Sequence, residues 1–409
     1  MSNERQPKVE FDHHAPDFPA VAAYRELRQR CPVAWTDTYG GFWILSRYED
    51  IARAARDDET FSSGRTPDGR GGIVIPQWNS ETSIPIELDP PQSVPYRRML
   101  NYLLSPAAVE AMKPRIAEYT TAMIDAFIER GECDFINELT SPVPALLTVN
   151  WLGFPAEYYA RFAQAVHDVF GSAPGTERER RGIEGMDWIM QETKALVDAR
   201  RREPRDDVVS YLCAQEIDGR PLSDEEILSM VKLLIGGGMD TTTSLTGQTL
   251  VWLSEHPEAR QRLIDEPELL PSATEEFLRV FAPSQSMART VRRPVEVGGC
   301  PMHVGDRVLL PWVAANFDET VFENPDEVQL DRPKNRHASF GIGIHRCVGS
   351  HLARAMFQEM ITQVLARLPD YRVLTDRLVA YPSHGNQTGW DVVPAVFTPG
   401  RRTRAPSAA

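Results

Sequence analysis

A cysteine held inside a glycine-rich loop, just ahead of an amphipathic helix, constrains this chain more than any other feature. The ten residues Phe340-Gly341-Ile342-Gly343-Ile344-His345-Arg346-Cys347-Val348-Gly349 place one thiol among three glycines. Leu352, Met356, Met360, Val364 and Leu368 then recur every fourth residue, a helical stripe that Pro369 ends. The spacing predicts Cys347 at a helix N-terminus, where unpaired backbone N–H groups and the positive end of the dipole favour thiolate over thiol. A thiolate there is a nucleophile or a metal ligand. Gly341, Gly343 and Gly349 let backbone come close to something bulky beside the sulfur.

The second constraint is a long helix with a weakened centre. Ser223 and Glu226 have capping-box spacing, and Pro257 closes the pattern, which predicts one helix of roughly 32 residues and ~48 Å. Its middle reads Gly236-Gly237-Gly238-Met239-Asp240-Thr241-Thr242-Thr243. Each glycine costs about 1 kcal/mol against alanine, and threonine hydroxyls can bond backwards to carbonyls and open the ladder. A helix that breaks local rules at its centre does so for function or for close packing against a neighbour.

Elsewhere the pattern is that of one large, α-rich domain of about 15–398, with tails at 1–14 and 399–409. A short helix is expected around Val21–Arg30, a hairpin over Val33–Ser46, and helices over Arg47–Arg56, 106–130 and 155–203, the last broken at Gly171–Gly175. A second hairpin is expected over Val295–Pro311 around Gly298-Gly299, and further strands over Tyr371–Phe397. Ser272 with Glu275 has the spacing of another capping box. The five cysteines, Cys31, Cys133, Cys213, Cys300 and Cys347, have no paired spacing for zinc or a disulfide framework, which suits a reducing cytoplasm. No apolar run reaches the ~20 residues of a membrane span, and Met1–Pro16 is polar, so a soluble protein is expected. A net charge of -14 argues against nucleic acid as a partner.

The loop resembles the haem-binding loop of the cytochrome P450 family, Phe-Gly-x-Gly-x-His-x-Cys-x-Gly, at all six fixed positions. The resemblance covers about residues 15–398 and leans toward the soluble bacterial group that includes camphor hydroxylase. It implies the P450 fold, mainly α with small β-sheets around a long central helix. It also implies haem b (iron protoporphyrin IX) with Cys347 as axial thiolate, cradled by Phe340, Gly341 and Gly349. By residue-to-residue match, Arg97, Arg289 and His345 are propionate contacts. Many members carry a histidine where this chain has Ser93.

In the long helix, Gly237, Gly238, Asp240 and Thr241 match the family's acid-Thr pattern. The match implies that Gly237 leaves room for O2, that Thr241 holds oxygen through its hydroxyl and that Asp240 helps relay protons. Glu276-x-x-Arg279 matches a buried structural network, joined by an upstream arginine, here Arg332. The implied reaction is monooxygenation: two electrons and two protons reduce one oxygen atom to water, and the other enters a substrate C–H bond.

No flavin or nicotinamide motif is present in the chain, so electrons must come from a partner. In bacterial members this is a ferredoxin served by a ferredoxin reductase. Arg97, Arg98, Lys334, Arg336 and Arg346 are expected to steer it. The substrate pocket is expected to draw on Trp78, Leu234, Gln285, Met287, Asn386 and Gln387, and to take a mid-sized, largely apolar small molecule: a terpenoid, steroid, aromatic or macrolide-like compound. A monomer is expected. Two other readings are a haem-thiolate sensor, carrier or isomerase, and a thiol-nucleophile enzyme using Cys347 with His345. The full Asp240–Thr241 pair speaks against the first. No further base or orienting acid is placed for the second.

Overall fold

A computed structural model of the protein describes residues 7–15, 18–67, 69–77, 81–172, 175–382, 385 and 387–403. They fall into two compact units, each drawn from separate stretches of chain: one from 1–98, 275–347 and 383–388, the other from 99–274, 348–382 and 389–409.

The first unit is built on a five-stranded sheet. The hairpin predicted near residue 40 pairs Val33–Thr36 with Phe42–Leu45 in antiparallel register, Val33 opposite Leu45 and Thr36 opposite Phe42. Phe42, Trp43, Ile44 and Leu45 are all fully buried, the continuous apolar run of a strand covered on both faces. Arg307–Pro311 lies parallel to it, Leu309 opposite Ile44, and pairs antiparallel with Ser286–Val291, whose other edge takes Phe61–Ser62. The second predicted hairpin is shorter than its pattern. It joins Val295–Val297 to Cys300–Met302 through Gly298 and Gly299, both at positive φ (56° and 83°), and stops there. Arg307–Pro311 leaves it for the large sheet because Val308, Leu309 and Leu310 bury fully in that core.

The second unit is helical. The stripe after the cysteine loop is as predicted: in Ser350–Arg367, residues Leu352, Met356, Met360 and Val364 are buried, and the helix packs on Pro106–Phe127 and Asp240–Glu255. The predicted break near 171–175 parts Tyr159–Phe170 from Glu177–Arg202. Strands Arg372–Val373, Pro394–Val396 and Glu132–Asp134 form a small sheet, and Val379–Ala380 pairs with Trp390–Val392. Among the described residues no helix is long and apolar enough to cross a membrane.

Two local expectations need correction. The long helix starts as predicted, with the Ser223 hydroxyl accepting from the Glu226 N–H (3.3 Å) and the Glu226 carboxylate accepting from the Ser223 N–H (2.6 Å). It spans the predicted stretch but is not continuous, since Asp224–Gly238 and Asp240–Glu255 part at Met239 (φ -97°, ψ -70°). Glycines on one side leave no side chains to brace the turn. On the other, the Thr241 and Thr243 hydroxyls donate back to the carbonyls of Gly237 (3.0 Å) and Met239 (3.2 Å), competing for the ladder. Ser272 is also not a cap. Its helix already begins at Leu270, and its hydroxyl donates to the Leu269 carbonyl (2.9 Å), while Glu275 turns to His337 (3.1 Å).

Candidate functional site

In the first unit the cysteine loop folds on its own backbone. The Cys347 N–H donates to the Phe340 carbonyl (2.8 Å), and the Gly341 N–H to that of Ala338 (2.7 Å). Gly341 and Gly343 have φ of 70° and 79°. At Gly343 any Cβ would collide with the Ala55 carbonyl of the helix Tyr48–Arg56, so glycine is required for close approach as well as for φ. Helix Ser350–Arg367 takes Gly349 as its cap, which puts Cys347 two residues ahead of the cap. Cys347 is exposed. The other four cysteines are buried or half-buried, and burial pushes the thiols of Cys31, Cys133, Cys213 and Cys300 up, away from thiolate.

The loop is braced from behind by the Glu276 network. The Glu276 and Arg279 side chains are both fully buried, with Arg279 donating through Nη2 (2.7 Å) and Nε (2.8 Å) to the two carboxylate oxygens. The Arg332 Nε (2.9 Å), the Asn335 amide (3.0 Å) and the Gln329 N–H (2.9 Å) complete the shell. Burial alone would raise the Glu276 pKa; Arg279 and Arg332 outweigh it and hold the carboxyl below its ordinary value. Arg279 also reaches the carbonyls of Asn316, Pro325 and Glu327. From Asn316 the network continues to Ala338 and Ser339, just before Phe340.

Beside the loop gather three groups expected to meet propionates. Arg289 is 2 % exposed and donates to the Ala288 carbonyl (2.8 Å); among the described residues no carboxylate lies within ion-pair distance, and burial lowers its pKa to about 10. Arg97 is half-buried and donates to the Arg346 carbonyl (2.7 Å); burial lowers its pKa while the Cys347 charge raises it. His345 shares its Nε2 with the Ser63 hydroxyl (2.8 Å), and its buried Nδ1 has no partner. Burial, then Arg289 and Arg97, push its pKa down to about 3. Asp89, whose charge acts on both Arg289 and His345, is engaged by the Ser62 and Ser63 hydroxyls and the Ser63 N–H. Ser93 is buried, its N–H on the Asp89 carbonyl (3.1 Å).

The second unit carries the Asp240–Thr241 pair. Among the described residues a Cβ on Gly237 would meet nothing within 4 Å. Asp240 is 3 % exposed. Its carboxylate accepts from the Tyr381 hydroxyl (2.8 and 2.9 Å to its two oxygens) and lies 2.9 Å from His167 Nδ1. The other ring nitrogen of His167 lies 3.1 Å from Asp391, which Arg178 grips with both terminal nitrogens (2.5 and 2.8 Å). Arg178 and Arg181 both bind Asp168 (3.1 and 2.7 Å). Burial would lower the His167 pKa, but the bonds and charges of Asp240 and Asp391 prevail and hold it at about 9. Burial and the Asp240 charge push Tyr381 well above its ordinary value. Sequence reasoning missed His167, Tyr381 and Asp391: they lie 73 to 151 positions from Asp240, with no local pattern to connect them.

The residues expected to line the pocket lie in both units. Trp78 and Asn386 lie outside the described residues. Gln285 spends its amide nitrogen on the Ala282 carbonyl (2.6 Å), holding the chain turn after its helix. Met287 stands opposite Leu310 in the sheet, and Gln387 is buried, bridged to Ser284. Leu234 is buried in the helix Asp224–Gly238 of the other unit.

The cytochrome P450 family model matches residues 177–379. The steroid C26-monooxygenase of Mycobacterium tuberculosis is 34% identical over 385 residues, 93% of this chain and 94% of that protein. The structure of CYP109E1 from Bacillus megaterium in complex with testosterone superposes with a TM-score of 0.84 at 28% identity, covering 93% of this chain and 98% of that one. The Mycobacterium marinum cytochrome P450 CYP268A2 in complex with pseudoionone gives 0.88 at 25%, covering 96% and 99%. With its cysteine loop and buried Glu276 network, the chain belongs to the cytochrome P450 family of haem-thiolate monooxygenases. Such enzymes use O2, a small-molecule substrate and a redox partner.

The residues present fit that cofactor. Among the described residues Arg289 is a buried guanidinium without a carboxylate and His345 Nδ1 a buried nitrogen without a partner, and the propionates of a haem are anions that such groups can hold.

Proposed function

We propose that the protein hydroxylates a steroid or a terpenoid of similar size, holding haem b through Cys347 and its propionates through Arg97, Arg289 and His345. The observation that carries this reading is the unmatched positive charge at Arg289 and Arg97 beside the Cys347 loop. When bound, the haem supplies the redox chemistry by which one atom of O2 enters a C–H bond and the other leaves as water. The protein's own part is position and protons. Thr241 presents a hydroxyl whose proton rests on the Gly237 carbonyl, and the neighbouring Asp240 carboxylate can hold or pass a proton. The steroid assignment rests on the relatives: one is a steroid C26-monooxygenase, and another was solved with testosterone.

Testosterone and a sterol with an intact side chain are the probes. Titrated into the haem-loaded protein, at least one is expected to shift the ferric Soret band to the blue and saturate in the micromolar range, about -8 kcal/mol of binding. No shift from either, with a shift from an acyclic terpenoid, would overturn the steroid assignment.

A ferredoxin with its ferredoxin reductase is the proposed electron source. Arg98, Lys334, Arg336 and Arg346 are exposed on an otherwise acidic protein, a local charge suited to an acidic partner. Arg98→Glu with Arg336→Glu is expected to slow reduction about tenfold at low ionic strength and to flatten its salt dependence. Stopped-flow reduction rates over a salt series check this, and unchanged rates at low salt would remove this surface as the docking site.

A further inference from the structure

Among the partners of Asp240 are Tyr381, from the chain after the last long helix, and His167, from Tyr159–Phe170. We propose that His167 and Tyr381 are positioning residues for Asp240: one imidazole ring shared between Asp240 and Asp391 fixes the place of the Asp240 carboxylate, and the Tyr381 hydroxyl fixes its plane. This rests on the reading of Asp240 as a proton relay.

The geometry explains why a clasp is needed. A carboxylate that is 3 % exposed is costly to leave without a cation or several donors facing it. Among the described residues, several charged groups surround the ring. Asp240 lies on one nitrogen and Asp391 on the other; Tyr381 Oη is 3.1 Å from Nδ1, and Arg178 bonds both Asp391 and the His167 carbonyl. Asp168, the next residue, is neutralised by Arg178 and Arg181 and adds no competing demand. With two carboxylates and one ring, the protonated ring can donate to both at once, and a neutral ring can donate to only one.

The sign of the pH dependence follows. His167 is held at about 9 against an ordinary 6.5, so its contribution to stability is complete below pH 6.5 and is lost as pH rises through 9.

The test compares wild-type holoprotein with His167→Gln, His167→Lys, Tyr381→Phe and Asp240→Asn. The wild-type melting temperature is expected to hold from pH 6 to 8 and to fall through pH 9, a fall that His167→Gln lacks. NADPH-driven O2 consumption, with a plant ferredoxin and its reductase as surrogate donor and testosterone as probe, is expected to drop about tenfold in His167→Gln. Its pH profile should lack the fall that the wild type shows through pH 9, and Tyr381→Phe should keep that fall with a smaller loss of rate. His167→Lys, which keeps a cation, should recover most of the rate. Equal loss in the glutamine and lysine variants with an unchanged pH profile, or a wild-type melting temperature flat through pH 9, would overturn the proposal. If Asp240→Asn leaves turnover untouched, the relay reading of Asp240 fails instead, and the melting profile still reports the clasp.

Discussion

Replacing Cys347 by alanine is expected to remove the strongly red-shifted Soret band of the dithionite-reduced, carbon monoxide-treated protein and to bring turnover to background. Thiolate donation is what separates this class from histidine-ligated haem proteins, and no other cysteine of the chain can substitute. Cys133 and Cys300 are buried and Cys31 and Cys213 half-buried, with thiols that burial has moved away from the ionised form. Cys213→Ala therefore serves as a silent control. Cys347→His should retain haem through the Arg97, Arg289 and His345 contacts while losing the shifted band. The same band in wild type and Cys347→Ala would overturn the assignment of the ligand.

Glu276→Gln is expected to be the most destabilising single change outside that loop. Its carboxylate lies between two buried guanidiniums, and Arg279 is fully buried. Removing the charge leaves Arg279 and Arg332 uncompensated, at a cost of about 3–5 kcal/mol. Because Asn316 carries the network on to Ala338 and Ser339, the effect should reach the cysteine loop as weakened haem retention. Thermal melting and the haem-to-protein absorbance ratio check both, and an unchanged melting temperature would show that the network contributes nothing net. Glu276→Asp, which keeps charge but shortens reach, should fall between.

What could be read from the sequence followed the range of its signals. The cysteine loop, its helix and the Glu-x-x-Arg pair are set by spacings of a few residues, and their stripes and glycines carry the physical reason with them. The helix centred on Gly236–Thr243 announced its weak point, although not that Met239 would part it in two. Ser272 misled because a Ser-x-x-Glu spacing arises inside helices too, and here Pro271 at the second position starts the helix earlier. The helix Pro142–Leu152 gave no periodic signal, since it is apolar nearly all round and buried accordingly. His167, Tyr381 and Asp391 were illegible for a different reason: their meaning lies in tertiary contacts that no window of sequence contains.

The large sheet imposes a schedule on synthesis. Phe42–Leu45 leaves the ribosome early, yet its parallel neighbour Arg307–Pro311 follows roughly 260 residues later, about 15–50 s at ordinary elongation rates. Through that interval a fully apolar strand has one partner, Val33–Thr36, and an open edge of the kind that recruits other chains. The nascent protein is thus most exposed to misassembly during the making of its helical unit. Expression yield should respond more to chaperone supply and slower growth than to the stability of the finished molecule.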